Sequence, residues 1–372
     1  MRKLSIITIV CLLISTISYG QAYQFRSIVE NKISPIKSQD RTGTCWCFAT
    51  TSFLESELLR MGKGEHDLSE MFTVRNNYIE RINDNYLREG NGNIDEGSIS
   101  HMAINAIAKY GILPESEYKG INYNMPTHNH TELSKFIKAI AKVTIGLKKR
   151  SPEYYKLQES LFDIYLGEVP ETFTYEGKEY TPITFRDELG IKCEDYVELT
   201  SFTHHPFYQQ VTLEIPDNWD HQRLYNLPLD EFMAVIDYAL NKGYTVVWDG
   251  DVSEPGYAFL DQIAILPADK KLKKTDIQGA NKVFKEEQAT QESRQAAYES
   301  FITTDDHLEH IFGIAQDQNG VKYYNVKNSW GTNRNGTGCH YMSENFIKAK
   351  TISILLHKNA LPKDIKKKLN IK

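Results

Sequence analysis

Beginning at Cys45, apolar residues recur at three- and four-residue spacing through Trp46, Phe48, Ala49, Phe53, Leu54, Leu58, Leu59 and Met61, and Gly62 ends the run. This spacing predicts one long helix that must bury a broad face. Further helices are predicted over Ser69 to Ile82 and Ser98 to Tyr110, the latter stopped by Gly111 and Pro114. Upstream, Tyr23 to Asp40 is irregular, with one brief strand. After Asp306 the texture reverses: His310 to Ala315 and Val321 to Val326 read as strands joined by a hairpin at Asn319-Gly320. Helices early and strands late imply an α+β protein with segregated layers. Between Tyr118 and Pro228 the chain is polar, aromatic and irregular. Helices are expected there at Glu132 to Ala141 and after Ser151-Pro152-Glu153, and the stretch reads as an insertion or subdomain. Leu229 to Leu240 is an amphipathic helix closed by Gly243, and Tyr244 to Trp248 a strand. The charge-rich residues 268–300 read as a solvated surface lid or an exposed helix around Arg294. The expected division is 21–117 mostly helical, 118–228 inserted and 229–372 β-rich, without internal repeats.

Residues 1–20 differ in kind. Arg2 and Lys3 precede an apolar run from Leu4 to Ile17, too short to span a membrane, and Ser18-Tyr19-Gly20 supplies small residues before a cut. This is the pattern of a signal peptide cleaved before Gln21, so the chain is expected to be exported, to a periplasm or outside the cell. No later segment is apolar enough to span a membrane. The 372 residues carry a net charge of -6, which gives no electrostatic reason to expect a nucleic-acid partner. Lys366-Lys367-Lys368 reads as a solvated helix end. Cys11 leaves with the leader; Cys45, Cys47, Cys193 and Cys339 remain, too few for a disulfide framework.

The chemistry lies in Gln39-Asp40-Arg41-Thr42-Gly43-Thr44-Cys45-Trp46-Cys47. A cysteine in the first turn of a long helix sits where unpaired N–H groups and the helix dipole favour a thiolate. The same N–H groups face any oxyanion formed by its attack on a carbonyl, and Gln39 can add an amide donor. A thiol nucleophile needs an imidazole base, and the imidazole needs a partner that fixes its tautomer. Asp306-His307-Leu308-Glu309-His310 and, twenty-one residues after His307, Asn328-Ser329-Trp330-Gly331 provide both, with Trp330 shielding the pair from water.

Together, Gln39 with Cys45-Trp46, Leu68-Ser69-Glu70, the histidine strand and Asn328-Ser329-Trp330-Gly331 resemble the papain-like cysteine peptidases. Within them the chain resembles the bleomycin hydrolase and aminopeptidase C branch. Thr42 stands where papain-type enzymes place a disulfide cysteine, no long propeptide separates leader from catalytic segment, and Ile94-Asp95-Glu96-Gly97 with Ala108 to Pro114 is similar to that branch's cleft wall. The resemblance covers about 200 residues and is weak between Tyr118 and Pro228. It implies a two-lobed fold with a cleft between a helical lobe bearing the cysteine helix and a β-rich lobe. Cys45 is then the nucleophile, Gln39 and the Cys45 N–H the oxyanion donors, His307 the base and Asn328 its orienting partner. Trp46, Asp95, Glu96, Gly97 and Trp330 are the substrate-cleft candidates. His307 is preferred over His310 because the family's glycine follows its histidine by six residues, as Gly313 does here, and an odd spacing puts the two on opposite strand faces.

The implied reaction is peptide hydrolysis through a thioester, with peptides as partners, no cofactor and no metal, and a homo-oligomer, hexameric in that branch. Two departures bear on specificity. Glu96 replaces the first of the family's paired glycines, so it binds a substrate amine, favours a basic side chain or faces solvent. The end at Lys372 leaves little of the branch's C-terminal arm, which keeps endopeptidase action open beside aminopeptidase action. Two other classes compete: a non-catalytic peptide-binding module, and a metal site at Cys45, Cys47, Cys339 and His340, whose Cys-x-Cys spacing fits zinc poorly.

Overall fold

The computed structural model describes residues 22–372; the proposed leader lies outside them. The expected helices form as α1 (Cys45–Arg60), α2 (Glu70–Leu87) and α3 (Ser100–Tyr110), after a first strand β1 (Arg26–Glu30). Ser69 caps α2 by accepting from the Phe72 N–H at 3.2 Å. Gly111 ends α3 with φ of 81°, and a side chain there would strike the Pro182 backbone, so the turn needs glycine twice over. Next come α4 (Thr131–Leu147), α5 (Pro152–Leu166), a hairpin of β2 (Phe173–Tyr175) and β3 (Lys178–Tyr180), and α6 (Pro182–Leu189).

The remaining strands are β4 (Tyr196–Thr200), β5 (Gln210–Thr212), β6 (Arg223–Asn226), β7 (Val246–Gly250), β8 (Tyr257–Ala258), β9 (Ile263–Ala264), β10 (His307–Gln316), β11 (Lys322–Lys327), β12 (Cys339–Ser343) and β13 (Thr351–His357). They form one mixed sheet in the order β5-β6-β4-β13-β7-β10-β11-β12-β9-β8, with β1 also on β10. The stretch read as an insertion is thus divided. Its helices and hairpin join the helical side, but β4 pairs antiparallel with β13, Ser353 opposite Thr200, which places its last thirty or so residues in the sheet.

Strand alternation sorts the sheet between two cores. Val247, Leu308 and Leu355 face the core built on α1 to α6. Trp248, Ile311 and Ile354 face a second core with α7 (Leu229–Asn241), α10 (Glu344–Lys350) and α11 (Lys363–Lys368). α1 therefore lies across the middle of the sheet, against the start of β10. Two short helices complete the chain, α8 (Lys274–Ile277) and α9 (Gln291–Glu299). The latter corrects one expectation: Arg294 is buried, not on a solvated surface. Its guanidinium donates to Ser201 O at 2.8 Å and Lys348 O at 3.1 Å and lies over the Phe202 ring.

Candidate active site

α1 begins with little help from its cap. The Thr44 side chain makes no capping bond; its hydroxyl pairs with that of Thr42 at 2.5 Å, while Thr42 also donates to Gln39 O at 2.8 Å. The hydroxyl of Thr42 thus holds the loop. Thr44 O receives the N–H groups of Cys47 and Phe48, whereas the Cys45 N–H has no partner among the described residues. Gln39 points at this helix start from a fixed position, its Oε1 accepting from Ser329 Oγ at 2.7 Å and its Nε2 donating to Thr42 O at 2.7 Å. One Nε2 hydrogen remains for a ligand.

His307 and Asn328 meet as expected. His307 Nε2 lies 2.9 Å from Asn328 Oδ1, and the Trp330 ring covers the imidazole at a centroid separation of 4.8 Å. The donor sequence behind this bond fixes the tautomer. Glu309 accepts the Tyr257 hydroxyl at 2.7 Å, so that oxygen is left to accept from Asn328 Nδ2 at 2.8 Å. This turns Asn328 Oδ1 toward His307, where it also takes the Ser329 N–H at 2.6 Å. His307 must then carry its proton on Nε2, leaving the Nδ1 lone pair free to take a proton from a thiol. His340 completes the chain by donating from Nε2 to Glu309 at 2.6 Å. Tyr257 and Glu309 were not among the site residues read from the sequence, and His340 was read there only as a candidate metal ligand. Glu309 had a signal, since it stands two residues beyond His307 and shares its strand face.

His310 lies on the opposite face, as the spacing requires, and is buried against α1 with Nδ1 2.9 Å from Ser52 Oγ. α1 packs against β10, and the backbone of Leu308, the residue after His307, lies near enough to the Cys45 sulfur to pull its pKa down, which places the nucleophile by the start of β10. Its acidity differs from the helix-start expectation. Burial pushes the Cys45 thiol up to about 12, with Asp305, Asp217 and Asp249 adding to the rise, while burial holds His307 below its ordinary value. Both shifts act in the same direction, favouring the neutral thiol and the neutral imidazole.

The cleft-wall candidates divide. The Glu96 carboxylate accepts the Gly43 N–H at 2.7 Å and so braces the nucleophile loop. Trp46 is fully buried, donating from Nε1 to Glu96 O at 3.1 Å, and so supports the wall instead of lining it. Asp95 points its carboxylate to Lys138 at 2.8 Å. Arg81 clamps the carbonyls of Asp95 and Gly97 from behind. Over Gly97 lies the carboxylate of Asp217, so near that an added Cβ would overlap it. The proposed metal ligands do not converge: Cys47 donates to Glu70 O and His340 belongs to Glu309, and all four described cysteines are free thiols.

A thiol at a helix start, opposite an asparagine-held imidazole at the head of a strand, defines a papain-like cysteine peptidase. The Peptidase C1-like family matches residues 15–372, and the chain belongs to it, on the bleomycin hydrolase and aminopeptidase C branch. It is similar to Aminopeptidase G of Lactobacillus delbrueckii subsp. lactis, 23% identical over 88% of this chain and 82% of that one. It is also similar to Aminopeptidase C of Listeria innocua serovar 6a, 23% identical over 89% and 81%. Among solved structures, PepW of Lactobacillus rhamnosis HN001 has the same fold, with a TM-score of 0.71 at 18% identity over 93% of this chain and 84% of that one.

Proposed function

We propose that Cys45, His307, Asn328 and Gln39 carry the peptidase reaction and that the substrate is a peptide with a free amino terminus. The Cys45 sulfur attacks the scissile carbonyl as its proton passes to His307 Nδ1. The oxyanion rests on the Cys45 N–H and the Gln39 Nε2–H, and His307 returns the proton to the leaving amine. Water, deprotonated by His307, then hydrolyses the thioester and frees the thiol.

The observation that carries the exopeptidase reading is Asp217. A substrate chain running along Gly97 away from Cys45 meets this carboxylate, whose charge also bears on the Cys45 sulfur. An ammonium group is a fitting partner there, and a continuing peptide is not. The names of the similar aminopeptidases point the same way. The test compares a peptide with its N-acetylated twin. The twin loses a charge-assisted hydrogen bond of roughly 1.5–3 kcal/mol, so its kcat/KM is expected to fall by about tenfold to a hundredfold. Equal cleavage of both would replace this reading with endopeptidase action. Export through residues 1–20 is part of the proposal and rests on their sequence alone; a mature chain starting at Gln21 is the expected result of N-terminal sequencing.

A further inference from the structure

We propose that His204, His205 and Glu214 form a binding site for one divalent transition-metal ion, zinc being the best match, between the β4–β5 connection and the β5–β6 connection that carries Asp217. The ligand atoms of these three residues all lie within 4.8 Å of one another. His205 Nε2 stands 2.9 and 3.0 Å from the two Glu214 oxygens, and His204 Nε2 stands 3.2 Å from one of them. Tetrahedral zinc holds imidazole nitrogens at about 2.0–2.1 Å and so spaces its ligand atoms about 3.3 Å apart. The three groups are therefore already close to the spacing an ion requires. Two imidazoles and one carboxylate form a donor set suited to zinc, and their partial exposure leaves a fourth position for water.

The surroundings hold this arrangement from behind. Gln295 on α9 accepts the Thr203 N–H at 2.6 Å and donates to His204 Nδ1 at 2.9 Å. Tyr298 stacks on the His204 ring at 12° between planes. The ring is thus held on the side away from Glu214, with Nδ1 accepting, in the tautomer that puts the proton on Nε2. Loading the site has a cost: each histidine must bind through Nε2 with its proton on Nδ1, so the Gln295 amide has to offer its oxygen to His204 and give up its bonds to the Thr203 N–H and Glu299. The site joins the segment leaving β4 to the segment leaving β5, and Glu214 precedes Asp217 by three residues. A bound ion would tie these two connections together.

The test uses the full chain with Cys45→Ala, which keeps zinc off the nucleophile, titrated with zinc chloride by calorimetry. One equivalent is expected, with a raised melting temperature. His205→Ala and Glu214→Gln should each weaken binding by more than the roughly 10–100-fold that loss of an outer partner costs. Cobalt(II) absorption provides a readout without altering the site: tetrahedral bands lacking sulfur charge transfer support the proposal. Undiminished zinc binding in both variants, no binding by the Cys45→Ala chain, or sulfur charge-transfer bands that place cobalt on the cysteines would each overturn it.

Discussion

Removing the Gln39 amide separates transition-state stabilisation from reactivity of the thiol. The side chain is pinned at both ends, by Ser329 Oγ and by Thr42 O, so its remaining N–H is presented without a reorganisation cost. Gln39→Ala removes one oxyanion donor and should lower kcat by about 10²–10³, roughly 3 kcal/mol, with KM little changed. Ser329→Ala leaves the amide in place but frees one end, and about tenfold, or ~1.4 kcal/mol, is expected. Alkylation of Cys45 by iodoacetamide forms no oxyanion, so its rate should stay within about twofold of the parent in both variants. The assay is therefore peptide turnover measured beside alkylation on the same preparations. If alkylation falls in step with turnover, Gln39 acts on the sulfur or on the fold, and the oxyanion argument fails. Unchanged turnover would refute it more directly.

Other perturbations test the surrounding network. Tyr257→Phe removes the hydroxyl that orients the Asn328 amide and should cost about tenfold in kcat at unchanged KM; a change in KM alone would show that the hydroxyl does not set the tautomer. Peptide hydrolysis should fall in acid as His307 becomes protonated, with a midpoint below the ordinary 6.5 because burial disfavours its cation. Glu309 raises the pKa of His307, so Glu309→Gln should move that midpoint to lower pH; movement upward would contradict the assignment. Burial raises Asp305 from 3.8 to about 8, so its stabilising share is present below pH 4 and lost as pH rises through 8. Asp305→Asn, followed by urea unfolding, should match the parent near pH 4 and gain on it toward pH 9, whereas a constant difference would sink the linkage. Arg294→Ala strands the Ser201 and Lys348 carbonyls and should cost about 3 kcal/mol or more, partly restored by Arg294→Met, which still packs on Phe202.

The parts of the fold that were legible are those whose cause is local. The periodicity after Cys45, the serine and proline opening α5 and the turn at Asn319-Gly320 each specify structure within a few residues. The pairing of β4 with β13 joins residues about 150 positions apart in strands that carry no register of their own, so the polar stretch around them read as an insertion. Arg294 was misread for a related reason. Its neighbours in sequence are charged and polar, and the carbonyls that satisfy it come from residues 201 and 348. A buried guanidinium is permitted by its acceptors, and acceptors leave no mark on the sequence around the donor.

The candidate site divides along the same line, with one difference that concerns mechanism. Gln39, Cys45, His307 and Asn328 could be named because each has a chemical duty and a place on an element that periodicity reveals. The family's six-residue spacing to Gly313 then chose His307, and alternation put His310, whose ring the structure places against Ser52, on the other face. The state of the thiol could not be read that way. A helix start lowers a cysteine pKa, but it competes with the cost of burial. Here burial wins and raises the thiol, with Asp305, Asp217 and Asp249 from three remote segments adding to the rise. The consequence reaches the role of Glu309. With burial favouring the neutral pair, His307 has to present a bare Nδ1 to the thiol, and a fixed tautomer ensures that. The chain from Glu309 through Tyr257 to Asn328 therefore serves the buried thiol as much as the His307–Asn328 bond it supports.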